Sequence, residues 1–264
     1  MESPGGVVVE FVGLPATGKT HVAEAVKERI VRGEWGGDDD DIALRTSAEK
    51  RNVANNRFNA LWYITTGFAR RPMDCFRTAS TIHRSDQPSI GYELRYLGYL
   101  LYVVEEIRRA RKNGEIYLVD QGFFQHLWRI YLTAESNEGW SLIDLAETYL
   151  DFVDPDIVVF VSVDHHTRME RAMERGTSVD PELFDPDHAL ITDDQEAYED
   201  VRTFVPMMDE MRERDVEIID IENAGNRLHE NVNSIVRAIR TAREEAAGLS
   251  PSSNGNPQGA ASDQ

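Results

Sequence analysis

Eight residues near the start of the chain constrain its fold more than any others. Residues 13–20 read Gly-Leu-Pro-Ala-Thr-Gly-Lys-Thr, which fills every fixed position of the pattern G-x-x-x-x-G-K-[ST]. A β-branched run precedes them at residues 7–12, and residues 21–30 carry apolar side chains at helical spacing. A strand, a glycine-rich turn and a helix start are the setting in which this pattern binds phosphate. The sequence therefore predicts a nucleotide-phosphate loop, in preference to a purely structural glycine turn.

Each residue type in this loop has a physical role in holding a triphosphate. Gly13 and Gly18 allow backbone angles and close approaches that a Cβ would forbid. Successive N–H groups can then point at the β-phosphate from the positive end of the following helix. Lys19 adds a charge on the β- and γ-phosphates, and Thr20 offers a hydroxyl to Mg²⁺. The residues predicted to bind ATP are Gly13, Leu14, Pro15, Ala16, Thr17, Gly18, Lys19, Thr20 and His21.

The charge balance of the chain is strongly acidic. Of 264 residues, 47 are Asp or Glu and 28 are Lys or Arg, which gives a net charge of −19, and only four of the basic residues are lysines. An acidic surface whose cations are arginines is typical of cytosolic proteins from salt-accumulating halophiles such as haloarchaea, where salt screens the self-repulsion. An ordinary acidic protein is the alternative. Either way, the charge disfavours generic binding to nucleic acid or to an anionic membrane.

Length, cysteine content and hydropathy bound the organisation of the chain. We expect a single domain over residues 1–249 and a disordered tail over residues 250–264, which are rich in Ser, Asn, Gly and Pro. Cys75 is the only cysteine, which excludes an internal disulfide and fits a reducing cytosol. No apolar run approaches the ~20 residues needed to cross a bilayer, and the acidic start does not resemble a signal peptide. We therefore expect a cytoplasmic protein.

Strand candidates alternate with helical patterns, which predicts a mostly parallel five-stranded sheet covered by helices. The predicted strands are residues 7–12, 42–44, 116–119, 157–163 and 216–221. The predicted helices are residues 21–30, 52–69, 90–112, 123–133, 142–152, 166–175, 196–214 and 228–247. Residues 73–89 show little periodicity and are expected to be irregular, and residues 177–193 are expected to form a polar loop.

Asp120 ends one of these predicted strands, at the edge where open parallel sheets bind their ligands. A carboxylate there, beside a phosphate loop, is expected near Mg²⁺, so the predicted metal ligands are Thr20 and Asp120. Asp120 could also accept a substrate proton, and the alternative is a turn-forming Asp before Gly122. Gln121 stands where many motor-type ATPases have a catalytic Glu. Because Gln cannot act as a general base, this argues against a dedicated hydrolytic ATPase.

Three arginines follow the fourth predicted strand, at a spacing that would place them on one face of a helix. Arg168, Arg171 and Arg175 lie at i, i+3 and i+7, so one stripe presents them all at the carboxyl edge of the sheet. Phosphoryl transfer spreads negative charge over the γ-phosphate oxygens, and planar guanidinium groups match that charge. Surface pairing with Glu170 and Glu174 is the alternative. The residues predicted to act in catalysis are Lys19, Asp120, Arg168, Arg171 and Arg175.

The order of these pieces resembles the thymidylate kinase and deoxynucleoside kinase group of P-loop kinases, over residues 7 to about 240. The strand that ends at Asp120 is similar to that group's strand ending in Asp-Arg. Residues 155–175 are similar to its lid stretch, a Pro-Asp pair, an apolar strand and two spaced arginines. Residues 217–226 are similar to its last strand and the loop that touches adenine.

That resemblance implies a three-layer α/β/α P-loop NTPase fold with a mobile helical lid over ATP, at about residues 166–195. Arg171 and Arg175 are the closest lid matches, and Arg168 is additional. The chain departs from the group at Gln121, which replaces the arginine of its Asp-Arg pair, and the acceptor region matches nothing closely. By position alone, the candidate acceptor contacts are Arg45, Arg57, Arg77, Arg84 and Arg95.

Two functional hypotheses follow. The first is a kinase that uses ATP and Mg²⁺ to phosphorylate a small molecule, with a nucleoside or nucleoside monophosphate as the acceptor. The second is a regulatory or partner-binding protein that uses ATP as a switch, which the Asp120–Gln121 departure and the unmatched acceptor region motivate. The sequence also leaves a homodimer open.

Overall fold

A parallel sheet with the phosphate-loop strand at its centre organises the chain. The computed structural model describes residues 6–33, 44–46, 57–134, 155–175, 216–223 and 227–248. Within those ranges the strands are β1 (Val7–Val12), β2 (Leu44–Thr46), β3 (Ile116–Val119), β4 (Ile157–Ser162) and β5 (Glu217–Glu222). They lie in the order β2-β3-β1-β4-β5, and every pairing is parallel.

Helices connect the strands, as parallel pairing requires. The described helices are α1 (Lys19–Val31), α2 (Arg57–Arg70), α3 (Pro72–Arg84), α4 (Ile90–Asn113), α5 (Phe123–Thr133), α6 (His165–Arg175) and α7 (Leu228–Ala246). None of them combines the length and the apolar character that a bilayer span requires.

The sheet has a separate hydrophobic core on each face. On one face, Val8 and Val12 of β1 pack with apolar side chains from α4 and α5. On the other face, Val7, Val9 and Phe11 pack with side chains from α1 and α7. Alternate residues of a strand point to opposite faces, so a strand covered on both sides reads as a continuous apolar run. The predicted helix-covered parallel sheet is therefore confirmed.

The prediction that residues 73–89 are irregular was right for residues 85–89 and wrong for residues 73–84. They contain most of α3, which begins with Pro72 at its first turn, where a missing N–H costs nothing. Cys75, Thr78 and Ile82 form its buried stripe. Small and polar side chains make this stripe weak in hydropathy, although its spacing is helical.

Other boundaries within the described residues moved by a residue or two, and residues 52–56 of the predicted helix 52–69 lie outside the described residues. The short second strand is Leu44–Thr46, because Leu44 pairs with Ile116 at the start of β3. The predicted helices at 142–152 and 196–214, the loop at 177–193 and the tail at 250–264 lie outside the described residues.

Candidate active site

The loop between β1 and α1 has the backbone form that its glycines allow. Gly18 has φ 92°, in the left-handed region, and its carbonyl accepts the Val22 N–H at 3.0 Å, which starts α1. A Cβ at Gly13 would overlap the carbonyl oxygen of Val161 in the neighbouring strand. Ala16 also has a positive φ, 68°, a conformation that a non-glycine residue adopts at a cost of order 1 kcal/mol. The loop is thus held tightly against the sheet edge.

Lys19 folds back over this loop. Its ammonium Nζ donates to the carbonyl oxygens of Gly13 at 2.5 Å and Leu14 at 2.8 Å. The buried hydroxyl of Thr17 donates to the same Leu14 oxygen at 2.9 Å. The first turn of α1 has no acidic residue and no side-chain cap. The positive end of this helix and the lysine charge therefore lie together at the loop.

Asp120 and Thr20 meet beside the loop, although 100 residues separate them. The Thr20 hydroxyl donates to Asp120 Oδ2 at 2.8 Å, and Asp120 is 3% exposed. The contact follows from strand order, because β3 lies next to β1 and both strands end at the same edge. Hydroxyl and carboxylate oxygens suit Mg²⁺, which takes few protein ligands and completes its shell with water and phosphate oxygens. The pair therefore fits the predicted metal role.

The described residues do not form a metal site from protein groups alone. They contain no cluster of three or more His, Cys, Asp or Glu side chains that could hold an ion. A Mg²⁺ ion that binds together with phosphate does not need such a cluster.

The predicted lid helix reaches the phosphate loop through Arg171. Its Nη1 donates to the carbonyl oxygen of Thr17 at 3.4 Å. Asn223, just after β5, donates its side-chain N–H to the same oxygen at 2.8 Å. Arg168, one turn earlier in α6, is 7% exposed. Arg175 ends α6, and its side chain lies outside the described residues.

The alternative of surface pairing has limited support. Glu170 lies 3.6 Å from His166, and both side chains are exposed. Arginines that only paired on the surface would be exposed to solvent, whereas Arg168 is buried and Arg171 contacts the phosphate loop.

An aromatic and polar cluster lies where α5 begins, next to Asp120 in sequence. The rings of Tyr99 and His126 stack at 5.1 Å between centroids with 12° between their planes, and the Arg95 guanidinium lies 5.7 Å above Tyr99. Burial, together with the charges of Arg129 and Arg95, lowers the pKa of His126 to about 3. This histidine is therefore neutral at physiological pH.

Two neighbouring residues at the start of α5 each carry a buried polar atom without a hydrogen-bond partner in the described part of the chain. The atoms are Gln125 Oε1 and His126 Nδ1. Sequence reasoning missed both residues, and the available signal was two polar side chains in the otherwise apolar first half of a helix. A buried polar group without a partner is costly, so such atoms often mark a ligand site.

The structure brings one of the five candidate acceptor arginines, Arg95, to this cluster. Arg77 and Arg84 are exposed on α3. The side chains of Arg45 and Arg57 lie outside the described residues.

Comparison with known proteins gives distant likenesses. No protein-family model and no curated protein sequence matches the chain. A deoxyadenosine kinase from M. mycoides, solved with products dCMP and a flexible dCDP bound, is 14% identical, with 89% of this chain and 100% of that chain covered and a TM-score of 0.46. A thymidylate kinase from Candida albicans is 12% identical, with 92% and 94% covered and a TM-score of 0.48. At this distance the function has to be argued from the site itself.

Proposed function

We propose that the protein is an ATP-dependent phosphotransferase that moves the γ-phosphate of ATP to a small acceptor. The observation that carries this proposal is the convergence of three groups on one loop. Lys19 lies over the loop, the Thr20–Asp120 pair lies beside it at 2.8 Å, and Arg171 reaches its Thr17 carbonyl. Two cations and a metal-type oxygen pair at one phosphate loop match the charge that develops in phosphoryl transfer.

Each group has a separate role in this proposal. The loop amides and Lys19 bind the ATP phosphates. Thr20 and Asp120 hold Mg²⁺, which neutralises phosphate charge when bound. Arg171, with Arg168 and Arg175 on the same helix, stabilises the transferring phosphoryl group. The hydrogen bond from Thr20 favours the metal role of Asp120 over that of a proton acceptor.

Transfer is favoured over simple hydrolysis by the residue that follows Asp120. Gln121 cannot take a proton from water, so the site lacks the general base of a dedicated ATPase at that position.

The acceptor in this proposal is a nucleoside or nucleoside monophosphate. The stacked Tyr99 and His126 rings offer aromatic surface, and Gln125 and His126 carry buried polar atoms that a base edge could satisfy. Arg95 adds a positive charge at the rim. Aromatic faces with a few placed polar groups are the usual lining of small-molecule sites.

A phosphorylation panel tests the proposal. Nucleosides, nucleoside monophosphates and sugars are incubated with ATP and Mg²⁺ at low and high salt, and phosphorylated products are identified by mass spectrometry. We expect product from at least one nucleoside or nucleotide, and none with Lys19→Met. Slow ATP hydrolysis without any phosphorylated acceptor would contradict transfer and favour the switch hypothesis.

A further inference from the structure

One buried acid stands outside the roles assigned so far. Glu10 lies in the middle of β1, is 1% exposed and is the only charged residue in that strand. Burial raises the pKa of Glu10 to about 8, although backbone N–H groups of α5 pull it down. Burying a carboxyl group in an apolar layer costs several kcal/mol unless it is well hydrogen-bonded. Its place in the sheet therefore calls for an explanation.

The contacts of Glu10 explain where its carboxyl group goes. Glu10 Oε1 accepts the backbone N–H of Phe124 at 2.7 Å and that of Gln125 at 3.3 Å. The Gly122 carbonyl accepts the His126 N–H at 3.2 Å, so Gly122 is the cap residue of α5. Glycine has no side chain to cap the N–H groups two and three residues on, and the first turn of α5 contains no acidic residue. Glu10 supplies that cap from the neighbouring strand.

The turn into α5 is shaped around this carboxyl group. A Cβ on Gly122 would lie 2.6 Å from Glu10 Oε1 and 2.7 Å from Oε2. Such distances are shorter than real Cβ contacts, so with any larger residue either the Glu10 carboxyl group or the turn would have to shift. The glycine and the acid therefore depend on each other.

Asp120 lies two residues before this glycine. Its carboxylate accepts the Thr20 hydroxyl at 2.8 Å, so the position of this segment decides whether Asp120 reaches the phosphate loop. The strand that carries Glu10 leads directly into the phosphate loop. A single side chain thus ties the loop's own strand to the segment that carries the proposed metal ligand.

We propose that Glu10 is a positioning residue that holds the Asp120–Gly122 turn in place and thereby sets Asp120 for Mg²⁺-dependent binding of ATP. This proposal rests on the proposed function, because it takes Asp120 as a Mg²⁺ ligand. Residues that orient a metal ligand typically change metal affinity by about 10- to 100-fold when they are removed.

The test compares ATP affinity with and without Mg²⁺ by calorimetry, which requires no acceptor. In Glu10→Leu, we expect the gain in ATP affinity on adding Mg²⁺ to fall by about 10-fold or more, while Mg²⁺-free ATP affinity stays close to wild type. Glu10→Gln keeps an oxygen acceptor and should keep most of the gain. The matched control is Val8→Ala, a buried residue on the same face of β1, which should lower thermal stability and leave the gain intact.

A double mutant separates positioning from general loosening. Asp120→Asn should remove most of the Mg²⁺-dependent gain, and Glu10→Leu should then remove nothing further. Independent, multiplicative losses, or an unchanged gain in Glu10→Leu, would overturn the proposal. If Glu10→Leu does not fold, Gly122→Ala tests the same contact from the other side, with the same expected loss and the same overturning result.

Hydrogen exchange distinguishes failure of this proposal from failure of the proposed function. The amides of Phe124 and Gln125 should exchange faster in Glu10→Leu, or in Gly122→Ala if the former does not fold, while that of Leu127 in the next turn changes little. If wild type bound no ATP, the proposed function would fail, and exchange would still report whether Glu10 holds the turn. Unchanged exchange at both amides would overturn the positioning role.

Discussion

Arg171 and Lys19 bring positive charge to the same loop in different ways. Lys19 starts α1 and bonds to carbonyls of its own loop, so it is fixed by the fold of that loop. Arg171 comes from a separate helix, and its hydrogen bond to the loop is made at the Thr17 carbonyl, at 3.4 Å. A contact this long is easily exchanged for a phosphate oxygen, because a guanidinium–phosphate pair is charge-assisted and can be bidentate. We therefore expect Arg171 to be the cation that exchanges its partner when the phosphoryl group is transferred.

Arg171→Ala should lower kcat far more than it lowers ATP affinity. A guanidinium that acts mainly on the transferring phosphoryl group is worth about 10³-fold or more in kcat, because its interaction is stronger in the transition state than in the ground state. Steady-state kinetics and ATP titration on the same preparation measure the two effects. Arg240→Ala, an exposed arginine that pairs with Glu244 on α7, is the control and should change neither quantity. Equal losses of turnover and affinity would mean that Arg171 only binds ground-state phosphate.

At the scale of elements, the sequence predicted what a contiguous motif or a rule of parallel sheets dictates, and it missed what leaves no clear pattern in the sequence. The β1–loop–α1 unit could be read from a contiguous motif, and the approach of Asp120 to Thr20 follows from the rule that parallel strands end at one edge. The Glu10 cap on α5 joins residues 114 apart and leaves no periodic signal. Helix α3 was missed because its buried stripe includes Cys75 and Thr78, which contribute little hydropathy.

Two glycines at opposite ends of α1 allow a matched test of the loop. Gly18 and Gly33 both have positive φ, 92° and 69°, so alanine is strained at either position, by about 1–2 kcal/mol. A Cβ at Gly33 meets nothing within 4 Å, whereas one at Gly18 would overlap the side-chain nitrogen of Asn223. Gly18→Ala should therefore displace Asn223 from the Thr17 carbonyl and weaken ATP binding, while Gly33→Ala lowers only stability.

Thermal denaturation measures the loss of stability in both variants, and ATP titration measures the loss of ATP affinity. The strain is larger at Gly18, whose φ of 92° lies outside the left-handed minimum, so the difference in ATP affinity reports the strain and the overlap with Asn223 together. If Gly33→Ala lost as much ATP affinity as Gly18→Ala, the close approach of Asn223 to the loop would have no part in binding.

At the scale of the whole molecule, the main electrostatic feature is the excess of acidic over basic residues. The net charge of −19 on 264 residues repels itself in low salt. One pair shows this locally: burial, and then the Glu245 carboxylate, raise the pKa of Glu217. Glu217 lies on β5 and Glu245 near the end of α7, so this repulsion opposes the packing of that helix on the sheet. Added salt should relieve it, because the screening length falls to about 3 Å at 1 M.

We expect the melting temperature to rise with KCl, and a single substitution should reproduce part of that rise. A relief of about 2 kcal/mol corresponds to roughly 4–8 °C for a chain of this size. Glu245→Gln removes the repulsion with Glu217, so it should raise the melting temperature in low salt and reduce the further gain from KCl.

The adjacent Glu244→Gln is the matched control, because Glu244 accepts a hydrogen bond from Arg240 at 2.8 Å and the loss of its charge should not stabilise the protein. If both variants shifted the melting curve equally, net charge alone would account for the effect, and a melting temperature independent of KCl would remove the charge argument altogether.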